Sequence, residues 1–179
     1  MKILETQRLV LRHLLPNDLD NLFVLYRDPE IRQYFPEGTL TYEETQEELE
    51  WFLNGHPDRP ELGLWATVYK ETGQFIGRCG LLPWTIEGRA EVEVAYLLAK
   101  AYWGQGLATE AARAIADHAF EQLGLTRLIC MMYPENQASA KVAQNIGMTL
   151  EKEMQDEQGP YLLYSMSRPA GQPGKVRGG

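Results

Sequence analysis

The chain has 179 residues, 44% of them hydrophobic, and a formal net charge of −8 at pH 7. That is enough apolar material for one domain with a substantial core. The negative balance argues against non-specific nucleic-acid binding, which depends on neutralising phosphates with Lys and Arg, and no apolar run approaches the ~20 residues of a membrane-spanning helix.

Two cysteines, Cys79 and Cys130, lie far apart in apolar contexts, and His13, His56 and His118 are scattered without ligand spacing. Buried free thiols, a reducing and cytoplasmic setting and no metal are therefore expected. Residues 1–8 carry charge too early for a secretory signal.

In chain order, residues 8–14 alternate as a strand. Pro16-Asn17-Asp18 opens a helix, with Asn17 as the expected N-cap and Leu19, Leu22, Phe23 and Tyr26 as its apolar face. Asp28-Pro29 interrupts it. Thr41 followed by Glu44 reads as a capping box for a second helix reaching about residue 53. A meander follows, with strands over 64–69, 75–82 and 91–99. A long helix then runs from Gly106 to Gln122 along a seam of small apolar residues, with Gly124 at its C-terminal cap. Residues 127–133 form a buried strand, parallel to the one before the helix. Asn136 caps a short helix ending near Gly147, and residues 148–154 and 161–167 are the last two strands. The domain is expected over residues 1–168, with a disordered Pro/Gly-rich tail over 169–179. The element order indicates a single mixed-sheet α/β (α+β) domain.

The most informative stretch is residues 102–111, Tyr-Trp-Gly-Gln-Gly-Leu-Ala-Thr-Glu-Ala. Gly104 and Gly106 close a polar turn between a strand and a helix start, where backbone N–H groups and the positive end of the helix dipole converge. Glycine permits positive φ there and lets phosphate oxygens approach the amides. The pair Lys-Ser/Thr of the Walker turn is absent, and Thr109 stands where a dinucleotide fingerprint needs its third glycine. A phosphate-bearing cofactor other than NAD or ATP is the better reading.

The chain resembles the GNAT superfamily of acyl-CoA-dependent N-acyltransferases, and within it the RimJ/RimL type that acetylates ribosomal-protein N-termini. The resemblance covers residues 3–168. It rests on Glu-Thr-Gln-Arg-Leu-Val-Leu-Arg at the start, Arg27-Asp28-Pro29-Glu30-Ile31, Glu93-Val94-Ala95-Tyr96, the glycine turn, Asn136-Gln-Ala-Ser139, and Asn145-Ile-Gly147-Met148. It implies a central sheet of six to seven strands, about four helices, and a splay between the strands flanking the long helix. It implies acetyl-CoA as co-substrate. The pyrophosphate would lie on the amides of Trp103, Gly104, Gln105, Gly106, Leu107, Ala108 and Thr109, with Asn136 beside it. Backbone groups near Leu97 and Leu98 would pair with pantetheine. It also implies an amine-bearing acceptor, met by the loop over residues 32–41, and relatives are often homodimers.

Two positions depart from the family pattern. Trp103 replaces a polar phosphate contact, and Ala143 stands where many relatives carry a tyrosine acid. The chemistry tolerates the second loss. An α-amine has a pKa of ~7.7–8 and a thiol one of ~8.5, so neither strong base nor strong acid is obligatory. Glu93, beside the expected splay, is the candidate base, against the alternative that Glu91 and Glu93 are a solvent-facing pair. Ser139 faces inward on its helix. The resemblance implies a hydrogen bond to the thiol sulfur, and the alternative is a bond back to the helix backbone. Asn136 serves as N-cap, cofactor contact or both, and Lys141 as a solvated lysine. Tyr34, Phe35, Trp51, Trp65 and Trp84 are candidates for an acceptor groove, with one or two expected there. Acetylation of a protein N-terminus, acetylation of a small-molecule amine, and non-catalytic acyl-CoA binding remain as readings.

Overall fold

The computed structural model describes residues 1–170. Most of the expected 169–179 tail therefore lies outside the described residues. The elements are β1 (Lys2–Glu5), β2 (Leu9–His13), α1 (Leu19–Tyr26), α2 (Tyr42–Phe52), β3 (Gly63–Tyr69), β4 (Gln74–Ile86), β5 (Arg89–Leu98), α3 (Leu107–Glu121), β6 (Arg127–Met132), α4 (Gln137–Asn145), β7 (Thr149–Asp156) and β8 (Gly159–Ser167). One sheet of eight strands carries the order β1-β2-β3-β4-β5-β6-β8-β7. This corrects the expected six to seven strands. The addition is β1, four residues too short and too polar at its ends to show a period.

Strand alternation distributes the core over two faces. Along β3, Leu64 and Ala66 point to the layer of α1 and α2, joining Leu22, Tyr26 and Leu49. Trp65 points the other way, into the larger cluster under α3 with Leu9, Ile76, Val94, Ile115 and Phe120. The small seam of α3 (Ala111, Ala112, Ala116, Ala119) is fully or almost fully buried and lets the helix lie close on the sheet.

Local signals account for the helix starts. Thr41 Oγ1 accepts from the Glu44 N–H at 3.2 Å and Glu44 Oε2 accepts from the Thr41 N–H at 2.7 Å, the reciprocal capping expected. At the first helix the cap is not Asn17. Residues 16–18 form a 3-10 turn, and Asp18 accepts from the Leu15 N–H at 2.8 Å while Arg12 clamps both of its oxygens at 2.7 and 2.8 Å. A carboxylate with a bidentate arginine satisfies that buried corner better than an amide. Gly124 takes φ +71 and returns the chain from α3 to β6.

The feature that positions the site is in mid-sheet. β4 and β5 pair over ten residues, and β6 pairs with β8 over six, but β5 and β6 meet in parallel only at Glu93↔Ile129. Past that point the two strands flanking α3 diverge, as expected.

Candidate active site

The gap between β5 and β6 is lined by side chains from both faces of the sheet. On the α1–α2 face, Glu93 Oε1 accepts from the Met131 N–H at 3.3 Å, and Oε2 accepts from the Trp84 indole N–H at 2.7 Å. Enclosure of the carboxylate pushes its pKa up to about 7, and the Trp84 and Met131 donors moderate the rise. Glu91 is not its solvent-facing twin: it is buried and holds Arg127 at 2.9 Å.

On the α3–α4 face, Tyr96 OH donates to the Ser139 carbonyl at 2.7 Å, and Ser139 Oγ donates to Tyr96 OH at 3.2 Å. Burial holds the Tyr96 phenol protonated, well above its ordinary pKa. The Cys130 thiol lies alongside and donates to the Val94 carbonyl at 3.2 Å, where a continuous sheet would have placed a ladder bond. Both cysteines are buried and free. The cleft encloses 920 Å³ and passes through the gap, touching Glu93 and Arg78 on one side and Tyr96, Asn136 and Ser139 on the other.

At the end of β5 the glycine turn has the geometry the sequence anticipates. Gly104 and Gly106 take φ +70 and +76, and a Cβ on Gly104 would meet nothing within 4 Å. The first α3 bond is Glu110 N–H to the Gly106 carbonyl at 3.0 Å, so the amides of Leu107, Ala108 and Thr109 lead the helix. No side chain caps them. Uncapped helix amides beside two left-handed glycines, with open space in front, suit a diphosphate. Trp103 is 44% exposed and its indole N–H donates to the Leu98 carbonyl at 2.8 Å, tying the turn back to β5. Gln105 bonds the Ala101 carbonyl through its side chain.

The edge that β5 offers to the gap differs by one residue from expectation. The Ala99 N–H donates to the Ile76 carbonyl of β4 at 2.8 Å, so by alternation the Leu97 backbone also faces β4. Tyr96 and Leu98 face the opening. Asn136 caps α4, its Oδ1 accepting from the Ser139 N–H at 3.1 Å. Lys141 is exposed.

Three of the five aromatic candidates line the cleft, not one or two. Tyr34, Phe35 and Trp84 do so. Trp51 is 55% exposed elsewhere, and Trp65 is core, edge-on to His118. The loop after α1 supplies one wall and reaches across the gap, where Tyr34 OH donates to the Glu135 carbonyl at 3.2 Å. Residues that sequence reasoning passed over include Arg8, whose guanidinium donates to the Gln105 carbonyl at 2.9 Å and to Glu110 at 2.7 Å. Arg78 was also passed over, although an arginine inside the apolar run 75–82 is itself a signal.

A family model described as Acetyltransferase (GNAT) domain matches residues 8–149. The chain belongs to the GNAT acetyltransferase family. It is 34% identical over 166 residues to Uncharacterized protein YkkB of Bacillus subtilis, covering 90% of this chain and 93% of that one. It is 31% identical over 157 residues to Uncharacterized N-acetyltransferase p20 of Bacillus licheniformis, covering 87% of each. Among solved structures, RimL, a ribosomal L7/L12 alpha-N-protein acetyltransferase in complex with coenzyme A, superposes with TM-score 0.77 at 19% identity, over 93% of this chain and 98% of that one. This GNAT protein is an acetyl-CoA-dependent N-acetyltransferase with a single α+β domain. Among the described residues no helix is long and apolar enough to cross a membrane.

Proposed function

We propose that this enzyme acetylates a primary α-amine, with Glu93 as the base and the glycine turn as the diphosphate cradle. The observation that carries the reading is the place of Glu93. Its carboxylate lies at the one point where β5 and β6 still touch, on the sheet face opposite Ser139, inside a cleft that joins the two faces. A pKa near 7 suits a group that must take a proton from an ammonium of pKa ~7.7–8 and release it at neutral pH.

Acetyl-CoA supplies an acetyl thioester whose carbon–sulfur bond breaks as the nitrogen–carbon bond forms. The protein's part is positional. The amides of Trp103 to Thr109 would hold the diphosphate, and Tyr96 and Leu98 would offer a strand edge to the pantetheine arm. Asn136, with its Oδ1 engaged in capping, would contribute its amide NH2. Glu93 takes the proton that the attacking nitrogen loses. Ser139 would turn its hydroxyl proton from Tyr96 OH, to which it donates in the free enzyme, to the departing sulfur. A thiolate of pKa ~8.5 needs stabilisation there and no obligatory acid, which reconciles the site with Ala143.

RimL, which shares the fold, acts on the α-amine of a protein, and this supports an α-amine acceptor here. A small-molecule α-amine is the second reading, favoured by the enclosed, aromatic-walled half of the cleft. Following thiol release from acetyl-CoA against a panel of α-amines and ω-amines tests the proposal. Faster release with the α-amines is expected. Cofactor binding without release for any amine would leave a binding module.

A further inference from the structure

The acceptor half of the cleft holds two buried guanidinium groups that the chemistry above does not use. Arg32, in the loop after α1, is 3% exposed, and Arg78, on β4, is 5% exposed. They share the same two aromatic rings. Arg32 Cζ lies 4.1 Å from the Phe35 centroid and 5.1 Å from that of Tyr26, and Arg78 Cζ lies 5.6 and 5.7 Å from them. Ring faces stabilise cations but do not neutralise them.

Their hydrogen bonds among the described residues are few. Arg78 Nε donates to Tyr26 OH at 2.9 Å, and that hydroxyl donates in turn to Glu48. Arg32 Nε donates to the Gly38 carbonyl at 2.7 Å, and its nearest carboxylate, Glu37 at 3.7 Å, is 65% exposed. Two enclosed positive charges thus face two inward carboxylates, Glu48, bonded to Arg78 through a tyrosine, and Glu93, which Arg78 reaches electrostatically without a hydrogen bond. Burial and the neighbouring Arg78 both push the Arg32 pKa down, whereas at Arg78 burial is outweighed by Tyr26 and Glu48, which hold its pKa up, so Arg32 is the less compensated of the two. Buried charge without a partner is costly, and a guanidinium's remaining N–H fork matches an oxyanion. Both arginines line the cleft. The positive patch is set against a chain whose net charge is −8.

Resting on the α-amine reading above, we infer that the acceptor also carries an anionic oxyacid group, a carboxylate being the simplest, which Arg32 and Arg78 bind while the amine lies at Glu93. Register sets the separation. Glu93 faces Leu82 across the β4–β5 pair, and Arg78 lies four residues back along the same face of β4. Four strand residues span ~13 Å between α-carbons. The two side chains shorten this, and Arg78 acts electrostatically on the Glu93 carboxylate, so the amine and the anion sit on separate parts of one acceptor. A dipeptide or an N-terminal peptide with an acidic second residue meets that description.

The test pairs acids with their neutral isosteres in calorimetry on the CoA-saturated enzyme and in thiol-release assays. The probes are dipeptides with a free C-terminal carboxylate against the C-terminal amides, and blocked-C-terminus peptides with Asp or Glu against Asn or Gln at the second position. The dipeptide arm identifies a small acid and the peptide arm a protein terminus. An acid should be preferred ~10- to 100-fold over its isostere, the range of a charged hydrogen-bond pair. Arg32→Gln and Arg78→Gln should bring that ratio toward one. Equal binding of acid and isostere to the unaltered enzyme, or no binding of any anionic probe, overturns the inference whether or not the variants fold. Rapid turnover of neutral amines alongside that result would sink the anion site alone. Tight CoA binding with no turnover of any amine would sink the transferase reading instead.

Discussion

The Trp84 indole N–H donates to Glu93 Oε2 at 2.7 Å, so the electrophilic edge of an aromatic ring bears directly on the candidate base. That bond favours the ionised carboxylate, opposing the burial that raises its pKa. Trp84→Phe removes the donor and keeps most of the wall. The acidic limb of the rate–pH profile should move from near 7 to higher pH, with the plateau at alkaline pH much less affected. Steady-state rates from pH 5.5 to 9 check this, and an unmoved limb would mean that Glu93 does not govern it.

Glu93→Gln should lower the maximal rate by ~100-fold or more, the usual contribution of a positioned base. The same change should act on stability with a definite sign. The folded pKa lies above the unfolded value, so the protonated carboxylate favours the fold at low pH, and this contribution is lost as pH rises from about 4.5 through 7. The glutamine variant should therefore gain melting temperature relative to the parent at pH 8 and not at pH 4.5. Melting curves at both values decide it.

Gly104→Ala separates cradle from scaffold. The methyl meets nothing in the protein, but φ +70 is left-handed, which costs ~1–2 kcal/mol for a residue with a Cβ. Melting should fall by ~2–8 °C. Coenzyme A affinity should fall far more than that strain alone requires, because the methyl stands in open space beside the turn that the proposed diphosphate would fill. Calorimetric titration measures it, and unchanged affinity in a folded variant would remove the turn from the proposed cofactor site.

Arg8 braces that turn from the other end of the chain. It reaches Gln105 and Glu110, and Glu110 also accepts from Thr6 Oγ1 at 2.6 Å. Arg8→Ala should weaken coenzyme A binding several-fold while kcat at saturation holds, a split that a loss of fold would not produce. Kinetics over a range of acetyl-CoA concentrations read it directly.

Much of this was legible from residues alone because the signals were local. Thr41 and Glu44 announce a capping box, the alanine seam of α3 announces a helix lying on a sheet, and Gly104 and Gly106 announce backbone that side chains disfavour. What escaped was non-local. Asp18, not Asn17, holds the N-cap position, and its carboxylate is spent on the Leu15 N–H and on Arg12, six residues away on β2, rather than on the helix amides. Which backbone edge of β5 faces the gap depends on its register with β4, which no single strand encodes. The environment of Glu93 combines Trp84 and Met131 from two other strands, and the convergence of Arg32 with Arg78 exists only after the loop beyond α1 has folded over the sheet.

The sheet is stitched across its middle by one backbone rung, Glu93 to Ile129, with side chains and α3 doing the remaining holding. A fabric joined so sparsely has a seam, and local opening begins where the fewest ladder bonds must break together. The amide protons of Tyr96 and Leu98, which face the opening, should exchange faster than those at equal depth in β3 and β4. The most central part of the molecule is thus among its least tightly bound.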